Sequence, residues 1–198
     1  MASYLPLLLF AAISTFTPGA ATTLATASGA HFGFRRSVPL ILGAALGLAL
    51  MAAAAAAGLA SILLAWPSLQ LAMKALGTAY LVWLAIRIAR SGAPNTQRKA
   101  AHPTSLLGGL WVLWQNPKAW AMTMGAAASF SALANGPAHL ALILSLAFGV
   151  TASASLVIWC LTGQILARVL KRDWQWTALN VTLGALLVLS IASMWRGA

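Results

Sequence analysis

The chain has 198 residues, 61% of them hydrophobic and only 7% charged, with a mean hydropathy of +0.88. A soluble domain of this size cannot hide so much apolar surface, so its solvent must largely be lipid, with room for about six transmembrane helices at roughly 30–33 residues per span and connection. Twelve Lys and Arg against the single acid Asp173 give a formal net charge of +11, and their clustering between apolar runs argues for membrane orientation and against a nucleic-acid partner.

In chain order, the apolar runs predict spans at 5–27, 38–61, 68–90, 105–130, 138–163 and 175–195. No positive region precedes Leu5, so the first run is expected to be retained as a span rather than cleaved. It is interrupted by Thr17-Pro18-Gly19. A proline removes a backbone donor and displaces a carbonyl, and in hydrocarbon that defect survives only when buried in protein or lining a cavity. Gly19 lets the chain unwind there. Thr15, Thr17, Thr22 and Thr23 bracket the break, placed either to satisfy its carbonyls or to reach a ligand. The half-helix that follows turns its positive end inward, where an anion is favoured.

His31, Arg35 and Arg36 are expected in a loop before span two. Within span two, Gly43-x-x-x-Gly47 and the run Ala52 to Ala57 offer a smooth face for close helix packing. Span three carries Lys74 near its start and Arg87 near its end. A polar linker at 91–104 follows, holding Arg98, Lys99 and His102.

Span four contains the second break, Gln115-Asn116-Pro117-Lys118, at a depth matching the first. A charged lysine at mid-membrane costs about 2.5–3.5 kcal/mol on insertion scales. No span holds an acid to neutralise it, so its partner is a ligand, a carbonyl dipole or water. Two readings follow for Lys118: it snorkels or bonds a carbonyl freed by Pro117, or it faces a cavity and meets a substrate carboxylate. Asn116 can bond the exposed backbone or a polar ligand. Trp111, Trp114 and Trp120 are expected to pack.

Cys160 in span five stands alone, which rules out an intrachain disulfide or a thiolate metal site and suits a small packing residue. Arg168, Lys171 and Arg172 follow that span. His31, His102 and His139 are too scattered for a proton relay and read as solvated. Nine basic residues thus fall on one side of the six spans. The positive-inside rule places both termini in the periplasm and the linker in the cytoplasm. Tyr4, Trp66, Trp174, Trp176 and Trp195 fall near span ends, as an interfacial belt would.

The two halves are alike. Leu40 to Gly47 (LILGAALG) aligns with Leu142 to Gly149 (LILSLAFG), Pro18 with Pro117, and Leu76-Gly77 with Leu183-Gly184, all at offsets of about one hundred residues. The expected fold is therefore an all-α membrane protein: one transporter domain over 1–198, with six transmembrane helices as two inverted-topology three-helix repeats. Repeat one covers about 1–90, the linker about 91–104 and repeat two about 105–198. No nucleotide-binding loop, metal cluster or nucleophile–base pair is legible, so neither an enzyme nor a cofactor is expected.

Taken together, Thr17-Pro18-Gly19, Gly33-Phe34-Arg35-Arg36-Ser37, Gly43 through Gly47, Gly77-Thr78-Ala79-Tyr80-Leu81 with Arg87, and Asn116-Pro117-Lys118-Ala119 resemble the LysE/RhtB family of small bacterial amino-acid exporters. The stretches Gln115 to Met122 and Gly33 to Pro39 are most similar to its cysteine/O-acetylserine branch. Where that family usually reads Pro-Gly-Pro, this chain has Pro18-Gly19-Ala20. The resemblance implies efflux of small neutral amino acids or derivatives across the inner membrane by alternating access, driven by the proton motive force. The substrate-binding set is then Pro18, Gly19, Thr22, Thr23, Asn116, Pro117 and Lys118, the partners are the amino-acid substrate and the lipid bilayer, and a homo-oligomer is left open. A passive channel, or a membrane assembly subunit without transport of its own, are the competing readings.

Overall fold

The computed structural model describes residues 4–59, 67–90 and 103–196, and among these there is no strand. The first apolar run forms α1 (Leu5–Phe16) and α2 (Ala20–Phe32), bent by 56° across Thr17-Pro18-Gly19. α3 (Phe34–Ala54) continues into a π-helical turn at Ala55–Leu59, where Gly58 takes φ +95°. α4 spans Pro67–Ala89. The fourth run is split into α5 (Leu106–Trp114) and α6 (Pro117–Ser129), followed by a 3₁₀ turn at Ser131–Leu133. α7 (Pro137–Val169) and α8 (Asp173–Arg196) complete the described chain. By length and composition, Phe34–Gly58 and Pro137–Val169 can each cross a membrane, and the bent pair α1–α2 makes a third candidate.

Two local departures from the expected elements stand out. α2 runs on to Phe32 and α3 begins at Phe34, so the expected loop shrinks to Gly33, which takes φ +76°. His31, Arg35 and Arg36 therefore sit on helices. The turn is pinned by Phe34 N–H donating to Gln164 Oε1 at 3.1 Å, and by a buried 2.7 Å hydrogen bond between Ser28 and Ser37. α7 overshoots its predicted end at 163 by six residues, and Gln164 in this extension bonds the Gly33 turn. Residues 60–66 and 91–102, with Trp66, Arg98, Lys99 and His102, lie outside the described residues.

α3 and α7 pack on each other at the centre; α2 and α1 lie on α7, α5 lies on α3, and α4 pairs with α8. Between helices in lipid there is no hydrophobic drive, so close van der Waals approach must hold them together. The glycines supply it. A Cβ on Gly29 would strike the Cys160 carbonyl, and one on Gly163 would strike that of Thr26. Likewise a Cβ on Gly43 would strike the Leu106 carbonyl, and one on Gly109 that of Leu40. Each crossing is thus glycine on both helices, backbone against backbone. Both lie toward the end of the molecule that bears Arg35, Arg36 and Arg168. Toward the opposite end contact is made by side chains: Phe10 of α1 meets Phe130 at 5.9 Å between ring centres and Phe148 of α7 at 6.4 Å.

Candidate functional site

A helix that stops in mid-bundle leaves carbonyls without partners, and in a lipid solvent each one must be satisfied by protein or by cavity water. At the end of α1 three consecutive carbonyls are picked up by side chains from elsewhere. Ser155 Oγ donates to Thr15 O at 2.8 Å, Trp159 Nε1 to Phe16 O at 3.3 Å, and Lys118 Nζ to Thr17 O at 2.9 Å. The threonines around the break also serve the backbone. Thr15 donates to Ala11 O, Thr17 to Ile13 O, and Thr22 both accepts from Gly19 N–H and donates to Gly19 O.

The second break is closed with shorter-range bonds. Asn116 is the N-cap of α6, its Oδ1 accepting from Lys118 N–H at 3.1 Å, a capping role suited to asparagine. Pro117 takes the first helical position, where its missing N–H costs nothing. Trp120 Nε1 donates to Trp114 O at 2.8 Å, capping the end of α5, and the two indoles meet edge to face at 5.5 Å. Gln115 Oε1 and Trp114 Nε1 are buried without a hydrogen-bond partner among the described residues.

Between the two breaks lies a small cavity of about 40 Å³, room for a water molecule or two in this conformation. Ser14, Gly19, Thr22, Asn116 and Lys118 supply its polar wall, while Ala44, Leu48, Leu113, Met122, Ala152 and Leu156 supply the apolar one. Lys118 is half-buried, and its side chain lies over Gly19: a Cβ there would stand 3.4 Å from Nζ. Of the residues expected to form the site, Gly19, Thr22, Asn116 and Lys118 line this cavity together. Thr23 is buried but is not among the lining residues, and Pro18 is exposed behind the break. Pro117 contributes through its backbone position.

Of the two readings for Lys118, the geometry shows neither snorkelling nor a bond to a carbonyl of its own break; Nζ lies at the cavity wall. The ammonium crosses to the carbonyl freed by the other proline, 101 residues away in sequence. Ser155 and Trp159, unnoticed in the sequence, are the other two staples. Their one signal was a hydroxyl and an indole four residues apart on one face of the helix.

Two further expectations change. His31 is not a solvated loop residue: its Nε2 lies 3.1 Å from Oδ1 of the fully buried Asn180 of α8, and its ring packs 5.8 Å from Trp176. Trp176 is accordingly buried, donating to Leu170 O, whereas Tyr4 and Trp174 are exposed near helix ends as a belt requires. Among the described residues no group of three His, Cys, Asp or Glu could hold a metal ion.

An apolar helical bundle with two mid-helix breaks joined by a lysine, and a cavity between them, is the arrangement in which helical membrane transporters build their substrate sites. The chain belongs to the LysE type translocator family, whose model matches residues 12–192. It is 31% identical over 102 residues to an uncharacterized membrane protein of Vibrio cholerae. That match takes in 52% of this chain, which spans about half the length of the relative. No solved structure matches the chain.

Proposed function

We propose that this translocator exports small neutral amino acids or their derivatives, of the cysteine or O-acetylserine kind, across the bacterial inner membrane. The observation that carries the reading is the contact of Lys118 Nζ with Thr17 O across the two breaks, at the wall of the cavity. A charged donor held by a single neutral carbonyl is under-compensated, and a carboxylate forms the stronger, charge-assisted bond. An α-carboxylate entering the cavity therefore takes Lys118 from Thr17, beside the N-terminus of α2, and releases a backbone acceptor for the substrate's own ammonium. Asn116 and Thr22 complete the polar shell.

The remaining wall selects the side chain. Alanines at 44 and 152 with Leu48, Leu113 and Leu156 make it small and apolar, which suits a short uncharged group once the cavity opens. The chain's only acid, Asp173, opens α8 and is not among the residues lining the cavity, so no carboxylate there pairs a cationic side chain. In this reading the six helical runs form two inverted repeats, both termini are periplasmic, and the glycine crossings close the cytoplasmic side. Outward opening parts Phe10, Phe130 and Phe148; inward opening parts the crossings, with the proton motive force as drive.

The test is counterflow in proteoliposomes loaded with cysteine, O-acetylserine, serine, lysine or glutamate. Neutral substrates should exchange and lysine should not. Absence of any flux from well-folded protein supports an assembly subunit instead, and flux without accumulation against a gradient supports a channel.

A further inference from the structure

The end of the molecule carrying Arg35 and Arg36 holds a second concavity that the cavity between the breaks does not use. It is lined by Phe32, Gly33, Phe34, Arg35, Arg36 and by Leu161 and Gln164 of α7, and it is an open concavity of about 490 Å³. Both arginines are exposed, and neither guanidinium is engaged in a hydrogen bond or ion pair among the described residues. They also have almost nothing to pair with: the chain has one acid against twelve Lys and Arg. Most of its cations must find counterions outside the protein.

The shape of the concavity says which counterion. Its floor is apolar, made by the half-buried Phe32 and Phe34 and by Leu161, which is 40% exposed. From Leu161 the exposed aliphatic face of α7 continues toward mid-bundle through Ile158, itself 51% exposed. Two forked cations at the rim above an apolar track match an anionic phosphodiester with hydrocarbon attached, since guanidinium pairs with phosphate oxygens bidentately. The floor is also held in shape. Gly33 and Gln164 form a fixed turn through the Phe34 N–H bond, and Ser37 one helical turn on is bonded to Ser28.

We propose that this concavity is a specific site for an anionic phospholipid, with the headgroup phosphate on Arg35 and Arg36 and an acyl chain along Leu161 and Ile158. The proposal does not rest on what the protein transports. It requires only that this end lies at a membrane surface. A lipid seated here bridges α3 and α7, the two central helices, at the end where the glycine crossings hold them.

Native mass spectrometry of the detergent-solubilised protein, titrated with phosphatidylglycerol or phosphatidylcholine, tests it. One phosphatidylglycerol should be retained per chain, about thirtyfold tighter than phosphatidylcholine, the effect expected of two arginines near a membrane surface. Arg35→Gln with Arg36→Gln should abolish that preference, while Lys171→Gln with Arg172→Gln, a basic pair at the same end, should leave it. Equal loss in both doubles, or retention in the first, overturns the site in favour of diffuse charge. Displacement of the lipid by millimolar inorganic phosphate also overturns it, in favour of a free-anion site. If the glutamine double does not fold, Arg35→Lys with Arg36→Lys keeps the charges and loses the forks. It should bind several-fold more weakly, and unchanged affinity would count against the assignment.

Discussion

Replacing Lys118 by methionine separates what the residue does for the fold from what it does for a substrate. Removing a charge from mid-bundle recovers about 2.5–3.5 kcal/mol of insertion cost. Against that, the hydrogen bond to Thr17 O at 2.9 Å disappears; a bond to a charged group contributes about 1.5–3 kcal/mol. Thr17 is exposed at the cavity, so water can replace the lost donor. The two terms leave Lys118→Met neutral or up to about 2 kcal/mol more stable. Transport should move the other way. Loss of a charge-assisted bond to carboxylate of about 2–3 kcal/mol raises the apparent KM for a neutral amino acid by roughly 30- to 150-fold. The assays are the thermal unfolding midpoint of purified protein and concentration-dependent uptake into proteoliposomes. A lower midpoint with unchanged KM would refute the reasoning, because Lys118 would then be only a staple between the two breaks.

The staples and crossings give further expectations. Ser155→Ala strips the buried Thr15 carbonyl of its donor and should lower stability by about 1–3 kcal/mol, read as a lower unfolding midpoint, with little change in KM. Trp120→Phe keeps the ring against Trp114 but loses the bond to its carbonyl, and should cost about 1 kcal/mol in the same assay. Gly29→Ala and Gly43→Ala each drive a methyl into facing backbone and should lose monodisperse protein on size exclusion. Gly125→Ala, with nothing within 4 Å of the new methyl, should be tolerated and gain up to about 1 kcal/mol from helix propensity.

What the sequence made legible was local chemistry. Pro18 and Pro117 announced the breaks because proline's missing donor acts at its own position, and the apolar runs announced the helices for the same kind of reason. The depth of Lys118 marked it as anomalous. What remained hidden was pairing over distance. That Lys118 answers Thr17, and that Ser155 and Trp159 answer Thr15 and Phe16, depends on α6 and α7 lying against the end of α1, which no periodicity encodes. The boundary at Gly33 was hidden by polarity: His31, Arg35 and Arg36 look like a loop to a hydropathy scale. Yet a helix can carry them where one face still packs, as His31 does against Asn180 and Trp176.

The single-residue connection at Gly33 also fixes where this chain can change shape. Consecutive α-carbons are held about 3.8 Å apart, so α2 and α3 share a joint with no slack. That joint is tied to α7 through Gln164 and closed on itself through Ser28 and Ser37. Thr17 to Gly19, by contrast, supplies three non-helical residues between α1 and α2. Between the start of α1 and the end of α3, non-helical backbone is therefore concentrated at Thr17 to Gly19. One residue inserted after Gly33 would shift the register of α3 against both α5 and α7 at once, whereas a residue inserted at Thr17 would disturb the Lys118 contact and leave the register of α3 unchanged.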